Sequence, residues 1–176
     1  MIRMPELTER ARKLIDKWKQ FHQPKKEKNW DIIFLKQAFE WSTYTNDAQT
    51  GCGAVLVRDR RIIATGYNGF IQHVEDEFLP NMRPAKYPWM IHAEHNAVLD
   101  CARNGKCAAG CTMYVTGKPC LNCYQFMYQA GVSEIIYGNN DAVMTKVDEE
   151  YEANVEVFLW LTRHRLNVRH IDYPSQ

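Results

Sequence analysis

The sequence predicts a three-layer α/β/α domain built on a mixed five-stranded sheet. Segments of helical and strand character follow one another in the order α-α-β-β-α-β-α-β-α-β. Only two residues join the first two strands, so this pair forms an antiparallel hairpin. A helix precedes each later strand, and helical crossovers typically connect parallel strands. The chain of 176 residues is long enough for one domain with its own hydrophobic core.

Two helices open the chain. Residues 6–22 carry apolar side chains mostly three and four positions apart, which predicts an amphipathic helix, and residues 30–44 form a second helix. A polar break at residues 24–29 separates them. We therefore divide the chain into a basic N-terminal helical extension, residues 1–29, and a main domain, residues 30–176.

Strands and helices alternate after residue 50. The hairpin runs through residues 51–58 and 61–66, and the polar segment 70–89, which shows no period, leads directly to His92. A loop of that length is usually functional, so we expect a wall or lid of the active site. The remaining elements are predicted as a helix over 91–104, a strand over 111–116, a helix over 120–130, a strand over 134–137, a helix over 148–165 and a strand over 167–171.

Composition excludes several classes of protein. No apolar run approaches the roughly 20 residues of a membrane span. The first 19 residues carry dispersed charges and lack the apolar centre of a secretory signal. We expect a cytoplasmic protein with no membrane partner, whose six cysteines are metal ligands or buried thiols.

Charge is unevenly distributed. Residues 1–30 contain nine Lys and Arg against four Asp and Glu, a balance of +5, whereas the remainder contains thirteen against seventeen, a balance of −4. A weakly acidic body argues against a broad groove for a polynucleotide, so no stable nucleic-acid partner is expected. A small anionic substrate needs only one or two local cations.

Two short motifs carry the chemistry. His92-Ala93-Glu94 and Pro119-Cys120-Leu121-Asn122-Cys123 together supply one imidazole, one carboxylate and two thiols. Each motif opens a predicted helix, whose positive end favours thiolates. If the two helix starts meet, His92, Cys120 and Cys123 bind one Zn²⁺ and leave a position for water, as catalytic zinc sites do. Glu94 is then placed to move protons.

Another interpretation is a closed structural zinc site, with Glu94 on the surface and either Cys107 or Cys111 as a fourth ligand. A protein of that kind would be a non-catalytic, zinc-stabilised binding module. Cys52, Cys101, Cys107 and Cys111 are otherwise expected to be small buried apolar residues.

His-x-Glu followed by Pro-Cys-x-x-Cys is the signature of zinc-dependent nucleobase deaminases. Over roughly residues 35–172 the chain resembles the deoxycytidylate (dCMP) deaminases of the cytidine deaminase superfamily. The matching motifs lie at residues 66–69, 86–88, 92–97, 113–116, 119–123 and 129–132.

This resemblance implies a cytidine deaminase-like fold and the hydrolysis of dCMP to dUMP and ammonia, which supplies dUMP for thymidylate synthesis. It implies that His92, Cys120 and Cys123 bind zinc and that Glu94 is the proton shuttle. Asn68 would hydrogen-bond the deoxyribose, although it could instead be a turn residue with positive φ. The backbone of Ala93 would read the cytosine edge. Further substrate-binding candidates are Tyr87 and, for the phosphate, Arg83, Lys86 and Arg103.

The resemblance also implies a homo-oligomer, with a hexamer as the family's common form. Regulated members respond to dCTP and dTTP, with Mg²⁺, through the loop after Gly69, but residues 70–74 depart from the family's Pro/Gly-containing loop. The alternative substrates are a tRNA adenosine or a 5-modified dCMP. The tRNA enzymes usually carry Glu where this chain has Lys118.

Overall fold

The computed structural model describes residues 8–22, 27–140 and 149–174. The predicted helical residues 6–7 and 148 and residues 24–26 of the predicted break lie outside this part of the chain. The helices are α1 (Glu9–Lys19), α2 (Trp30–Ser42), α3 (Ala93–Arg103), α4 (Leu121–Gln129) and α5 (Glu149–Thr162), and the strands are β1 (Gly53–Arg58), β2 (Arg61–Tyr67), β3 (Thr112–Val115), β4 (Glu134–Asn139) and β5 (Asn167–Pro174). None of the described helices is both long and apolar enough to cross a membrane.

The five strands form one mixed sheet in the order β2-β1-β3-β4-β5. β1 is antiparallel to both of its neighbours, β2 and β3, while β3, β4 and β5 are parallel. The predicted mixed sheet is therefore confirmed, with β1 as the single reversed strand. Asp59 and Arg60, at φ 51° and 60°, make the tight turn of the hairpin.

Helices cover both faces of the sheet. Alternate residues of β1 point to opposite faces. Val55 and Val57 pack with α2, whereas Ala54 and Leu56 pack in the larger core with α3, α4 and α5. This arrangement gives the three layers that the order of the elements predicted. The helix α1 contributes no buried residue to either layer.

Gly66 sets how closely α3 lies against β2. A Cβ atom added there would lie 2.3 Å from the carbonyl oxygen of Ala93 and 2.4 Å from the amide nitrogen of Ala97. Both are backbone atoms of α3, so no side-chain rotation could relieve the clash. The absence of a side chain at Gly66 therefore fixes the position of the first turn of α3.

Gly66→Ala is expected to reduce the free energy of unfolding by about 1–3 kcal/mol, because α3 must shift to admit the methyl group. The measurement is urea denaturation. Gly69→Ala is the matched control, because its Cβ would come no closer than 3.5 Å to its neighbours. Equal losses in the two variants would contradict the assignment of a close contact to Gly66.

Candidate active site

The functional residues collect at one end of the sheet, where β2 and β3 end and β1 begins. The amide of Asn68 donates to the carbonyl of Cys52 at 3.0 Å, and the amide of Thr116 donates to the carbonyl of Gly53 at 3.0 Å. These bonds tie together the segments that follow β2 and β3. The polar segment after β2 returns here because Gly69 and Ile91 exchange backbone hydrogen bonds of 3.1 and 2.8 Å.

Two helices begin at this end of the sheet. His92 is the N-cap residue of α3 and Cys120 is the N-cap residue of α4. The amide of Cys123 donates to the sulfur of Cys120 at 3.4 Å, so the thiol caps its own helix. Both positive helix ends therefore face the same small volume, and this arrangement favours anionic sulfur.

His92, Cys120 and Cys123 come together as predicted. Their possible ligand atoms all lie within 4.8 Å of one another. The Nδ1 atom of His92 is 3.6 Å from the sulfur of Cys120 and 3.3 Å from the sulfur of Cys123. A nitrogen and a sulfur bound to one tetrahedral zinc lie about 3.5 Å apart, given the usual zinc–ligand lengths. The donor types and their spacing thus fit zinc.

The two thiols differ in their affinity for protons. The hydrogen bond from the Cys123 thiol lowers the pKa of Cys120 to about 4, and the same bond raises the pKa of Cys123. The shared hydrogen bond therefore makes Cys120 the more acidic of the two thiols. Zinc binds thiolates, so metal binding would release thiol protons at this site.

No fourth His, Cys, Asp or Glu among the described residues joins this cluster. Cys107 and Cys111, the fourth ligands required by the structural-zinc interpretation, lie outside it. Cys101 and Cys111 are buried as expected, but Cys107 is exposed, so its prediction as a buried residue was wrong. Cys52 is partly buried, and burial raises the pKa of its thiol to about 12.

Glu94 lies beside the cluster but not in it. Its side chain comes from the first turn of α3, and the residue is only 5% exposed. Burial raises the pKa of the Glu94 carboxyl, while its backbone hydrogen bond and the neighbouring His92 act in the opposite direction. A carboxyl with a raised pKa next to an open metal position can both accept and donate a proton.

A cavity of about 170 Å³ opens onto Glu94 and the cluster. One wall comes from the long segment after β2, which contributes Arg83, Lys86, Tyr87 and Met90. This segment contains one short 3₁₀ turn, Asp76–Phe78. Residues 115–118, at the end of β3 and just after it, also line the cavity.

Asp47 organises the part of the wall that contains Lys86, a role that no local sequence pattern predicted. Its carboxylate lies 2.5 Å from the Nζ atom of Lys86, and the two side chains are only 4% and 3% exposed. The same carboxylate accepts hydrogen bonds from the amides of Gln49 and Thr50, at 2.9 and 3.1 Å. It also accepts from the Nδ2 atom of Asn68 at 3.2 Å.

All but one of the predicted substrate-binding residues line the cavity. Ala93 and Tyr87 line the cavity, and Tyr87 is exposed. Asn68 also lines it, but its Oδ1 atom already accepts from the amide of Cys52 at 2.7 Å. Its φ is not positive, so the turn interpretation of Asn68 was wrong. Arg103 contacts Gln72 and does not line this cavity.

Arg83 donates from Nη2 to the hydroxyl of Thr50 at 2.7 Å. Lys118 also lines the cavity, a position that the phosphate prediction did not include. Its ammonium group lies 2.5 Å from Glu152 of α5, and both side chains are more than a third exposed. The sequence signal that could have identified Lys118 as a cavity residue is its position directly before the Pro-Cys motif.

The family model for the cytidine and deoxycytidylate deaminase zinc-binding region matches residues 28–139. Mouse deoxycytidylate deaminase is 35% identical over 115 residues, which cover 61% of this chain and 64% of that protein. The chain therefore spans less than two thirds of that relative. The yeast (Saccharomyces cerevisiae) deoxycytidylate deaminase is 30% identical over 178 residues, covering 97% of this chain and 53% of that protein.

A solved structure shares the fold. The dCMP deaminase of the cyanophage S-TIM5, in its apo form, aligns with a TM-score of 0.61 and 25% identity. The alignment covers 80% of this chain and 96% of the phage chain. The shared fold confirms the cytidine deaminase-like architecture.

Asp47→Asn is expected to lower the free energy of unfolding by about 3–5 kcal/mol, because it leaves the buried Lys86 ammonium without a counter-charge. Urea denaturation measures the loss. Asp16→Asn removes a carboxylate from an ion pair whose side chains are 72% and 66% exposed, and it is expected to cost less than about 1 kcal/mol. A loss for Asp47→Asn as small as that of the control would contradict the buried pair.

Proposed function

This chain belongs to the cytidine and deoxycytidylate deaminase family, and from that premise we propose that it hydrolyses dCMP to dUMP and ammonia. The buried Glu94 carboxyl supports this proposal most strongly, because it lies in the cavity beside three possible metal ligands, His92, Cys120 and Cys123. Three protein ligands leave a zinc position open for water, the arrangement of catalytic rather than structural sites. The named relatives support cytosine deoxynucleotides as the substrate class.

His92, Cys120 and Cys123 would hold the zinc. Bound zinc would supply Lewis-acid activation of a water molecule at this site. Glu94 takes one proton from the attacking water and delivers it to N3 of the cytosine ring. The water oxygen bonds to C4, Glu94 carries the remaining proton from that oxygen to the exocyclic nitrogen, and the bond from C4 to that nitrogen breaks. The products are dUMP, which keeps the water oxygen at C4 and one proton at N3, and ammonia, which carries the other proton.

Burial of Glu94 suits this proton shuttle. A carboxyl in a dry site, with a raised pKa, is a better general acid than one in water. The backbone of Ala93, in the next position along the cavity wall, reads the cytosine edge in this proposal. Asn68 faces the deoxyribose, and the exposed ring of Tyr87 lies at the side of the nucleotide.

We propose that Arg83 and Lys118 bind the 5′-phosphate of the substrate. Lys86 is already neutralised by Asp47, so its part is to hold that carboxylate and, through it, Asn68. Arg83 offers a planar group of donors, which suits phosphate oxygens. Among the described residues, Lys118 is held by an exposed ion pair with Glu152, and such pairs contribute about 1 kcal/mol or less. It can therefore exchange Glu152 for a substrate phosphate at small cost.

We also propose that dCTP and dTTP regulate the deaminase activity. A second cavity lies along the segment after Gly69, with Gln72 and His73 in its lining. Asp76 and Asp100 also line this cavity. A triphosphate could approach these carboxylates only with a divalent cation such as Mg²⁺ between them.

The direct test is ammonia release by zinc-loaded protein given dCMP, deoxycytidine, dCTP and a tRNA in parallel. Turnover of dCMP is expected to exceed the others. Glu94→Gln, which keeps the shape of the side chain but cannot move protons, is expected to reduce kcat by at least about 100-fold while zinc content stays unchanged.

Glu40→Gln, the same change at an exposed position on α2, is the control and is expected to retain full activity. Preferred turnover of the tRNA would contradict the choice of substrate. Normal turnover by Glu94→Gln would contradict the mechanism.

A further inference from the structure

The first turn of α5 contacts the segment that carries Cys120. Tyr151 of this turn accepts a hydrogen bond from the amide of Leu121, with 2.8 Å between the amide nitrogen and the hydroxyl oxygen. The next residue, Glu152, forms the ion pair with Lys118. Leu121 directly follows Cys120, and Lys118 lies two positions before it. One helical turn therefore holds the chain on both sides of a proposed metal ligand.

The Leu121 amide needs an acceptor from outside α4. It is the first amide of the helix, and the first four amides of an α-helix have no acceptor within the helix itself. The third amide, that of Cys123, uses the sulfur of Cys120. The acceptor for Leu121 is Tyr151, 30 positions away in the chain. The side chain of Tyr151 packs against the larger core, so its hydroxyl oxygen has a fixed place.

This hydrogen bond restrains one torsion angle of Cys120. The amide of Leu121 and the carbonyl of Cys120 belong to the same planar peptide group. The orientation of that group about the preceding bond is the ψ angle of Cys120, which is 162°, an extended value. Cys123 lies on α4, beyond this bond. The position of the Cys120 sulfur relative to the Cys123 sulfur therefore depends on the ψ angle of Cys120.

We propose that Tyr151 is a positioning residue for the metal site. By holding the Leu121 amide, it keeps Cys120 at the extended ψ that brings both sulfurs and His92 together. The carbonyl of the same peptide group accepts from the amide of Tyr124 at 3.0 Å, which is a bond within α4. Tyr151 holds the other side of the group from α5. It does not line the catalytic cavity, so it acts through Cys120 and not on the substrate.

The inference rests on the zinc site of the proposed function but not on which nucleotide is deaminated. Residues that orient metal ligands are important for affinity, and their removal typically weakens metal binding 10- to 100-fold. The aromatic ring of Tyr151 would still pack in the core without its hydroxyl group. Loss of the hydroxyl is therefore expected to change zinc binding more than folding.

Tyr151→Phe removes only the hydroxyl group. The dissociation constant for zinc, measured on the whole chain by competition with a chromophoric chelator, is expected to rise about tenfold or more. Tyr128→Phe is the matched control, because Tyr128 also lies between α4 and α5, with its ring centre 6.0 Å from that of Phe158. Its hydroxyl has no hydrogen-bond partner among the described residues. Its removal is expected to leave zinc affinity unchanged.

Urea denaturation with and without zinc separates positioning from a purely structural role. A ligand that binds the native state stabilises it according to its affinity. If Tyr151 positions Cys120, a fixed excess of zinc is expected to stabilise Tyr151→Phe less than it stabilises the unmodified chain. A purely structural role would lower the stability of the metal-free protein and leave the gain from zinc unchanged.

A proline at position 121 offers a rescue. Proline suits the first position of a helix, has no amide hydrogen to satisfy and restricts the preceding residue to extended ψ angles. Tyr151→Leu removes the hydroxyl and shortens the side chain, which leaves room for the proline ring. Tyr151→Leu alone is expected to bind zinc weakly. Tyr151→Leu combined with Leu121→Pro is expected to bind zinc within about threefold of the unmodified chain.

Three results would overturn the inference. Equal zinc affinity in Tyr151→Phe and Tyr128→Phe would show that the hydroxyl does not act on the metal site. An unchanged gain from zinc in Tyr151→Phe would assign Tyr151 a structural role only. A double variant as weak as Tyr151→Leu would show that Tyr151 does not act through the ψ angle of Cys120.

These measurements contain no substrate, so they distinguish this inference from the proposed reaction. An unmodified chain that binds no zinc would contradict the metal site and this inference together. Intact zinc binding without turnover of dCMP would contradict the proposed reaction alone. Circular dichroism of each variant confirms that the chain is folded before zinc is added.

Discussion

The functional site depends on the convergence of two helix N-termini at one end of the sheet. α3 and α4 begin next to each other, and their first residues supply His92, Cys120 and Cys123. Their positive ends stabilise the sulfur charge that a metal requires. Gly66 allows α3 to approach β2 closely enough for this meeting, so one missing methyl group is coupled to the spacing of the metal ligands.

A second constraint supports the first. The buried pair of Asp47 and Lys86 connects the loop after α2 to the segment that lines the cavity. Asn68 joins the same network, so three distant parts of the sequence are held around one carboxylate. Within the part of the chain that the structure describes, Glu94 has no cation as close as Lys86 is to Asp47. The site thus keeps one carboxylate neutralised for structure and another in a dry environment, where we propose that it transfers protons.

The sequence predicted the elements because their signals are local. Pro119 and Cys120 mark the start of α4, and the two residues between β1 and β2 allow only a tight turn. The closeness of Cys120 and Cys123 was predictable for the same reason, since residues three apart at the start of a helix share a face. Asp47 was not predictable, because its partner Lys86 lies 39 positions away in the chain. Local sequence patterns also do not indicate that Lys86 is buried, and for this reason Lys86 was predicted to bind the phosphate.

We propose that the metal has three protein ligands and one position open to water. X-ray absorption spectroscopy of the zinc-loaded protein distinguishes this coordination from a closed one, because sulfur and lighter ligands scatter differently. We expect two sulfur ligands at about 2.3 Å and two nitrogen or oxygen ligands at about 2.0 Å, one of them exchangeable water. A shell with three or more sulfurs would mean a closed structural zinc site and would rule out the open position.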